Sequence, residues 1–161
     1  MSGGAGEAVS ILGSLNDHML QVVNLTWTWA LMRPRGPSVL RGQLHLGFEV
    51  VPLIVIQQGR TAFGAGGSPI FLKWLMHPVG PVTPFAEVLG GAIVTNRKVP
   101  EDITRFNYTA QGGLGVRVNL SSGHVLSVGY RLHHISNGGL GPRTRSRNSN
   151  VILAGVTLRG R

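Results

Sequence analysis

Side chains in this chain change from apolar to polar at every second residue, and that period constrains the fold more than any other feature. Leu44, Leu46, Phe48 and Val50 fall on one face of an extended segment, with Arg41, Gln43, His45 and Glu49 on the other. The separation recurs where Val23, Leu25, Trp27, Trp29 and Leu31 oppose Asn24, Thr26 and Thr28. It recurs again where Phe106, Tyr108, Ala110, Leu114, Val116 and Val118 oppose Asn107, Thr109, Gln111, Arg117 and Asn119. Further strands are expected at Ala8–Leu15, Ile70–His77, Phe85–Thr95, His124–Asn137 and Asn148–Arg159, about eight in all. Connections are expected where Gly and Pro cluster, at Arg33–Pro37, Gly64–Pro69, His77–Pro81, Ser121–Gly123 and Gly138–Gly139.

Alternation of this kind fits two architectures. A soluble sandwich or lipocalin-like barrel turns the apolar face inward. A small membrane barrel turns it outward to lipid and packs the polar face inside. Only 13% of the residues are charged, against about 25% in an average soluble domain. The longest apolar run, Val50–Ile56, is interrupted by Pro52 and falls far short of the roughly 20 residues of a spanning helix. The polar faces carry Arg41, His45, Glu49, Lys73, Arg117 and Arg131, which can pair inside a barrel. Strands of about ten residues match a tilted bilayer crossing. Trp27, Trp29 and Trp74 suit headgroup anchoring or an ordinary core. The expected fold is all-β, an eight-stranded antiparallel up-and-down membrane β-barrel in one domain over residues 1–161, with 1–20 the least regularly patterned.

With 15 Lys and Arg against 6 Asp and Glu, the net charge of +9 favours a polyanionic partner. A nucleic-acid-binding role is disfavoured because few aromatics interleave with the basic residues. The absence of Cys removes disulfides, thiol nucleophiles and thiolate metal sites. No metal site is expected, because the adjacent His133 and His134 point to opposite faces. Gly112-Gly113-Leu114-Gly115 lacks the helix that a phosphate-cradling loop requires. The segment from Met1 to Gly13 has no Lys or Arg before its weakly apolar stretch, so it does not read as a complete secretory signal.

The segment richest in chemistry is Tyr130–Leu140. His134 and Ser136, two residues apart, leave a strand on the same side, so an imidazole and a hydroxyl can meet there as base and nucleophile. Their face also carries Leu126, Val128, Tyr130 and Leu132, which places the pair beside acyl chains if the barrel lies in a membrane. His134-Ile135-Ser136-Asn137-Gly138-Gly139-Leu140, close to the carboxyl end and followed by one last strand, resembles the signature of the lipid A 3-O-deacylase (PagL) family. Gly47–Pro52, Leu72-Lys73-Trp74 and Phe85-Ala86-Glu87 through Thr95-Asn96-Arg97 look like segments of related acyloxyacyl-hydrolase-like proteins. The resemblance extends over most of the chain after about residue 20.

The resemblance implies a cofactor-free serine esterase of the bacterial outer membrane that removes an acyl chain from lipid A. Its partners would be lipopolysaccharide, outer-membrane lipid and, as an open alternative, a second copy in a homodimer. Ser136 would be the nucleophile, His134 the base, and the Gly139 N–H an oxyanion donor. Asn137 would support that donor or fasten the turn. Fourteen residues beyond the histidine, where the family's acid is expected, stands Asn148 rather than Glu. An amide can orient the imidazole but brings no charge, so a catalytically impaired lipid-A-binding or structural barrel is the alternative reading. The usual Asn and Pro of the intervening loop give way to Arg143, Arg145 and Arg147, which read as lipid A phosphate contacts or as a solvated loop.

Overall fold

The computed structural model describes residues 2–9, 19–37, 40–101, 103–120, 123–140 and 145–157, the first of these spans by its backbone. The strands are β1 (Ser2–Val9), β2 (Met19–Ala30), β3 (Gly42–Gln57), β4 (Ala62–Met76), β5 (Val82–Thr95), β6 (Phe106–Asn119), β7 (Val125–Ser136) and β8 (Ser146–Thr157). Strands β2 to β8 form a continuous antiparallel sheet in which each pairs with its neighbour in sequence, and the sheet curls round on itself. The backbone of β1 lies between β2 and β8 and pairs with both. The β3–β4, β5–β6 and β7–β8 connections share one end of the sheet, called the upper end below.

The first strand differs from its expected place. It covers Ser2–Val9 rather than Ala8–Leu15, of which residues 10–15 lie outside the described set. Its Gly- and Ala-rich sequence carries no apolar alternation, so pairing with β2 and β8 is what defines it. Gly64–Pro69 is strand rather than a connection. A Cβ built on Gly64 or Gly66 would meet the carbonyl oxygens of Val94 and Ala92 at 2.4 and 2.2 Å, so these glycines permit close packing of backbone against β5. The register slips between Gly67 and Ile70, which accommodates Pro69 at an irregularity. A second irregularity, between Val51 and Ile54, lets β3 continue through Pro52. Pro52 and Leu53 both point outward there, while Val51 and Ile54 point in.

The large apolar side chains of the alternating pattern face outward. Leu114, Ile70, Val88 and Ile152 lie in mid-strand and are 62%, 61%, 55% and 67% exposed, which excludes the soluble sandwich in which this face forms the core. Trp27 and Trp29 are on the same outer surface near the lower end, with Trp27 stacked on Phe48 at 5.0 Å between ring centroids.

The inner face holds the expected charges. Arg131 donates to Glu49 at 3.0 Å and to Glu87 at 2.5 Å, and Lys73 pairs with Glu87 at 2.9 Å. Thr26 donates to the second oxygen of Glu49, and the Lys73 ammonium sits over the Phe85 ring. The interior is not polar throughout, however. Its upper half is an aliphatic cluster of Leu20, Val22, Val51, Ile54, Ile56, Ala62, Ile93, Val99, Ile135, Val151 and Leu153. These side chains fill the upper half of the interior, and β3 is accordingly apolar on both faces beyond Val50, while a cavity of about 430 Å³ bordered by Lys73, Glu87 and Arg131 remains lower down.

Candidate active site

Strand β7 carries His134 and Ser136 to the upper end on its outward face, and β8 descends beside it. Across β5, β6, β7 and β8, Gly90, Ala110, His134 and Asn148 form one row, and Ala92, Tyr108, Ser136 and Ser146 the next. This register brings His134 Nδ1 to 2.6 Å from Asn148 Oδ1. An amide oxygen only accepts, so Nδ1 is the donor in this hydrogen bond. Asn148 is almost wholly buried. Among the described residues Ser136 and His134 share a face but no hydrogen bond joins them.

Beyond Ser136 the chain turns back sharply. Asn137, fully buried, donates from Nδ2 to the Leu140 carbonyl at 3.2 Å and accepts from the Gly139 N–H at 3.4 Å. Its side chain therefore fastens the turn. Gly138 and Gly139 have φ of 59° and 81°, which glycine adopts without penalty. At Gly138 there is a second requirement, because an added Cβ would lie 2.7 Å from the Tyr108 ring. Gly138→Ala is expected to cost more stability than Gly123→Ala, because the first must also displace the turn or the ring, whereas the second, at a positive φ in open space at the lower end, costs about 1 kcal/mol. Thermal unfolding of the two variants checks the contrast.

The arginine segment divides. Arg145 is exposed. Arg147, expected to contact a phosphate, is instead 2% exposed and belongs to β8, where alternation turns it to the interior, away from any headgroup. Arg143 lies outside the described residues.

Residues that sequence reasoning left out complete the surroundings. Gly90 and Gly112 face outward beside Ala92 and Ala110, and a Cβ on either glycine would meet nothing within 4 Å. They floor a shallow trough next to His134, with exposed Tyr108, Leu114 and Val88 rising around it. The available signal was small residues standing at outward positions where the rest of the face is bulky.

The match to known proteins follows this geometry. The family model of lipid A 3-O-deacylase (PagL) matches residues 22–157. The chain belongs to the PagL family. The crystal structure of the outer membrane enzyme PagL superposes with a TM-score of 0.70 at 17% identity, covering 95% of each chain. That similarity is one of fold. A comparison with curated protein sequences gives no match. Residues 22–157 of the PagL family match include β7, the turn after it and β8, and hence His134, Ser136 and Asn148.

Proposed function

We propose that the protein is an outer-membrane serine esterase that removes an ester-linked acyl chain from lipid A. PagL family membership and the barrel-like fold indicate an outer-membrane protein. On this reading residues 1–161 form one domain, closed as eight membrane-spanning strands with the lower end in the periplasm. Exposed aromatics support the placement: Phe63, Phe106 and Tyr108 ring the upper end and Trp27, Trp29 and Phe48 the lower. Girdles at both edges of an apolar band about 25 Å tall are the mark of transmembrane barrels.

The observation that carries the proposal is the outward-facing His134, hydrogen-bonded to Asn148, with Ser136 on the same face at the upper end; on this reading that end lies in the outer leaflet. His134 Nε2 accepts the Ser136 proton as Oγ attacks the ester carbonyl, and the oxyanion forms beside the turn, where the Gly139 N–H exchanges its long hydrogen bond to Asn137 Oδ1 for one to the oxyanion. Collapse expels the sugar alkoxide, which takes the proton from His134 and leaves an acyl-Ser136. Water, deprotonated by His134, then releases the fatty acid and restores the serine. The trough over Gly90, Ala110 and Gly112 gives the acyl chain a place against the barrel wall. No cofactor enters the cycle.

Asn148 bears on a second reading, that of a lipid-A-binding barrel with impaired turnover. In serine proteases an acid-to-amide change at the orienting position lowers turnover roughly 10⁴-fold, largely through the wrong tautomer. Here the amide oxygen selects the productive tautomer, so what is missing is the charge opposite imidazolium. Asn148→Glu is therefore expected to raise kcat about tenfold to a hundredfold. Purified protein incubated with lipid A and followed by mass spectrometry decides between the readings. Loss of one ester-linked acyl group supports the esterase. An unchanged lipid A with both the wild type and Asn148→Glu supports the binding barrel.

A further inference from the structure

The end of the sheet that carries Ser136 also carries a built cationic ledge that the catalytic scheme does not use. The β5–β6 connection, residues 96–105, is tied to the β3–β4 turn. Asn96 exchanges hydrogen bonds with Phe63, its N–H donating to the carbonyl at 2.8 Å and its Oδ1 accepting from the Phe63 N–H at 2.9 Å. Val99, fully buried, drops from the connection into the aliphatic cluster under the upper rim. The connection is thus a packed part of the fold.

Three exposed cations, Arg97, Lys98 and Arg105, project from it and a fourth, Arg60, from the β3–β4 turn beside it, and the backbone of each is held. The Arg97 carbonyl accepts from Thr95 Oγ1 at 2.7 Å, and the Arg105 carbonyl from the Thr95 N–H at 2.9 Å. The Lys98 carbonyl accepts from Gln58 Nε2 at 2.8 Å, and the Arg60 N–H donates to Glu101 Oε1 at 2.9 Å. Among the described residues none of the four side chains is in an ion pair. Exposed Phe63, Phe106 and Tyr108 lie immediately below them along the strands, which sets the cations at headgroup height if these rings mark the membrane boundary. Arg105 stands three residues above Tyr108, the cross-strand partner of Ser136.

We infer that Arg60, Arg97, Lys98 and Arg105 dock the phosphates of the glycolipid headgroup whose acyl chain reaches Ser136. The inference rests on the esterase reading and replaces Arg147 as the source of phosphate contacts. Guanidinium groups grip phosphate oxygens in pairs, and a ledge fixed by its backbone loses little freedom on binding. Each cation near a lipid surface contributes about 1 kcal/mol, or roughly fivefold in affinity.

The test measures binding rather than turnover. Ser136→Ala protein in detergent is titrated with lipid A and with its enzymatically dephosphorylated form, and the complexes are counted by native mass spectrometry. The ledge predicts a preference for the phosphorylated lipid that falls about tenfold or more in Arg97→Gln/Lys98→Gln/Arg105→Gln. Arg33→Gln/Arg35→Gln at the lower end should keep the preference. Equal affinity for the two lipids before the ledge is altered, or an unchanged preference after, overturns the ledge. Failure of the wild type to cleave lipid A overturns the esterase reading alone, because this binding needs no bond to break.

Discussion

Ser136→Ala is expected to reduce lipid A deacylation by the purified protein at least about 10³-fold, with the folded barrel retained. The hydroxyl is the only group in the proposed cycle that forms a covalent bond to the substrate. Removing a nucleophile of this kind leaves what oxyanion donors and binding supply, and losses of about 10⁶ are known for serine hydrolases. Ser146 provides the control, since it faces Ser136 directly across the β7–β8 pair and would be the alternative nucleophile. Ser146→Ala is expected to change the rate less than tenfold, because Ser146 lies on the neighbouring strand, outside the His134-x-Ser136 pair that shares one face of β7. Mass spectra of lipid A from cells making each form give the same comparison in the membrane. A Ser136→Ala protein that deacylates at the wild-type rate would remove the nucleophile from its assigned position, and near-complete loss in Ser146→Ala would move it across the strand.

Arg131→Met is expected to destabilise the barrel by about 3–5 kcal/mol, the range for removing one partner of a buried ionic cluster. Arg131 is 4% exposed and is shared between Glu49 and Glu87, with Gln111 Oε1 at 3.3 Å from the same guanidinium. Without it Glu87 keeps Lys73, but Glu49 keeps only the Thr26 hydroxyl, and one negative charge is left inside with no cation. The second substitution Glu49→Gln in the Arg131→Met background should recover a large part of the loss, because it removes that charge rather than restoring a contact. Urea unfolding in lipid vesicles, followed by Trp fluorescence, measures both. A loss below about 1 kcal/mol in the single variant would show that the cluster is hydrated and incidental to stability.

Strand faces were legible at the level of single residues. Glu49, Lys73 and Arg131 stand inside and Leu114 and Val128 outside, as period two requires, because alternation is a property of the extended backbone and needs no partner. His134 and Ser136 were legible for the same reason. Turns rich in Gly and Pro were legible where glycine supplies a positive φ, as at Gly123, Gly138 and Gly139, and misread where glycine instead admits a neighbouring backbone, as at Gly64 and Gly66. Arg147 was read as loop because a run of alternating arginines resembles a solvated segment, although the same alternation carries it into β8.

The amino-acid sequence alone determined which side chains share a face, that the apolar face is too large and too regular for a charged soluble surface, and that His134 and Ser136 lie together near the end of a strand. Tertiary structure decided the cross-strand register that sets Asn148 against His134. It joined Glu49 to Arg131, 82 positions apart, carried Val99 from a connection into the interior, and tied the carbonyls of Arg97, Lys98 and Arg105 into a ledge. The division has one physical cause: which way a side chain points follows from the local backbone, whereas what it meets depends on how distant strands slide past one another before their hydrogen bonds close.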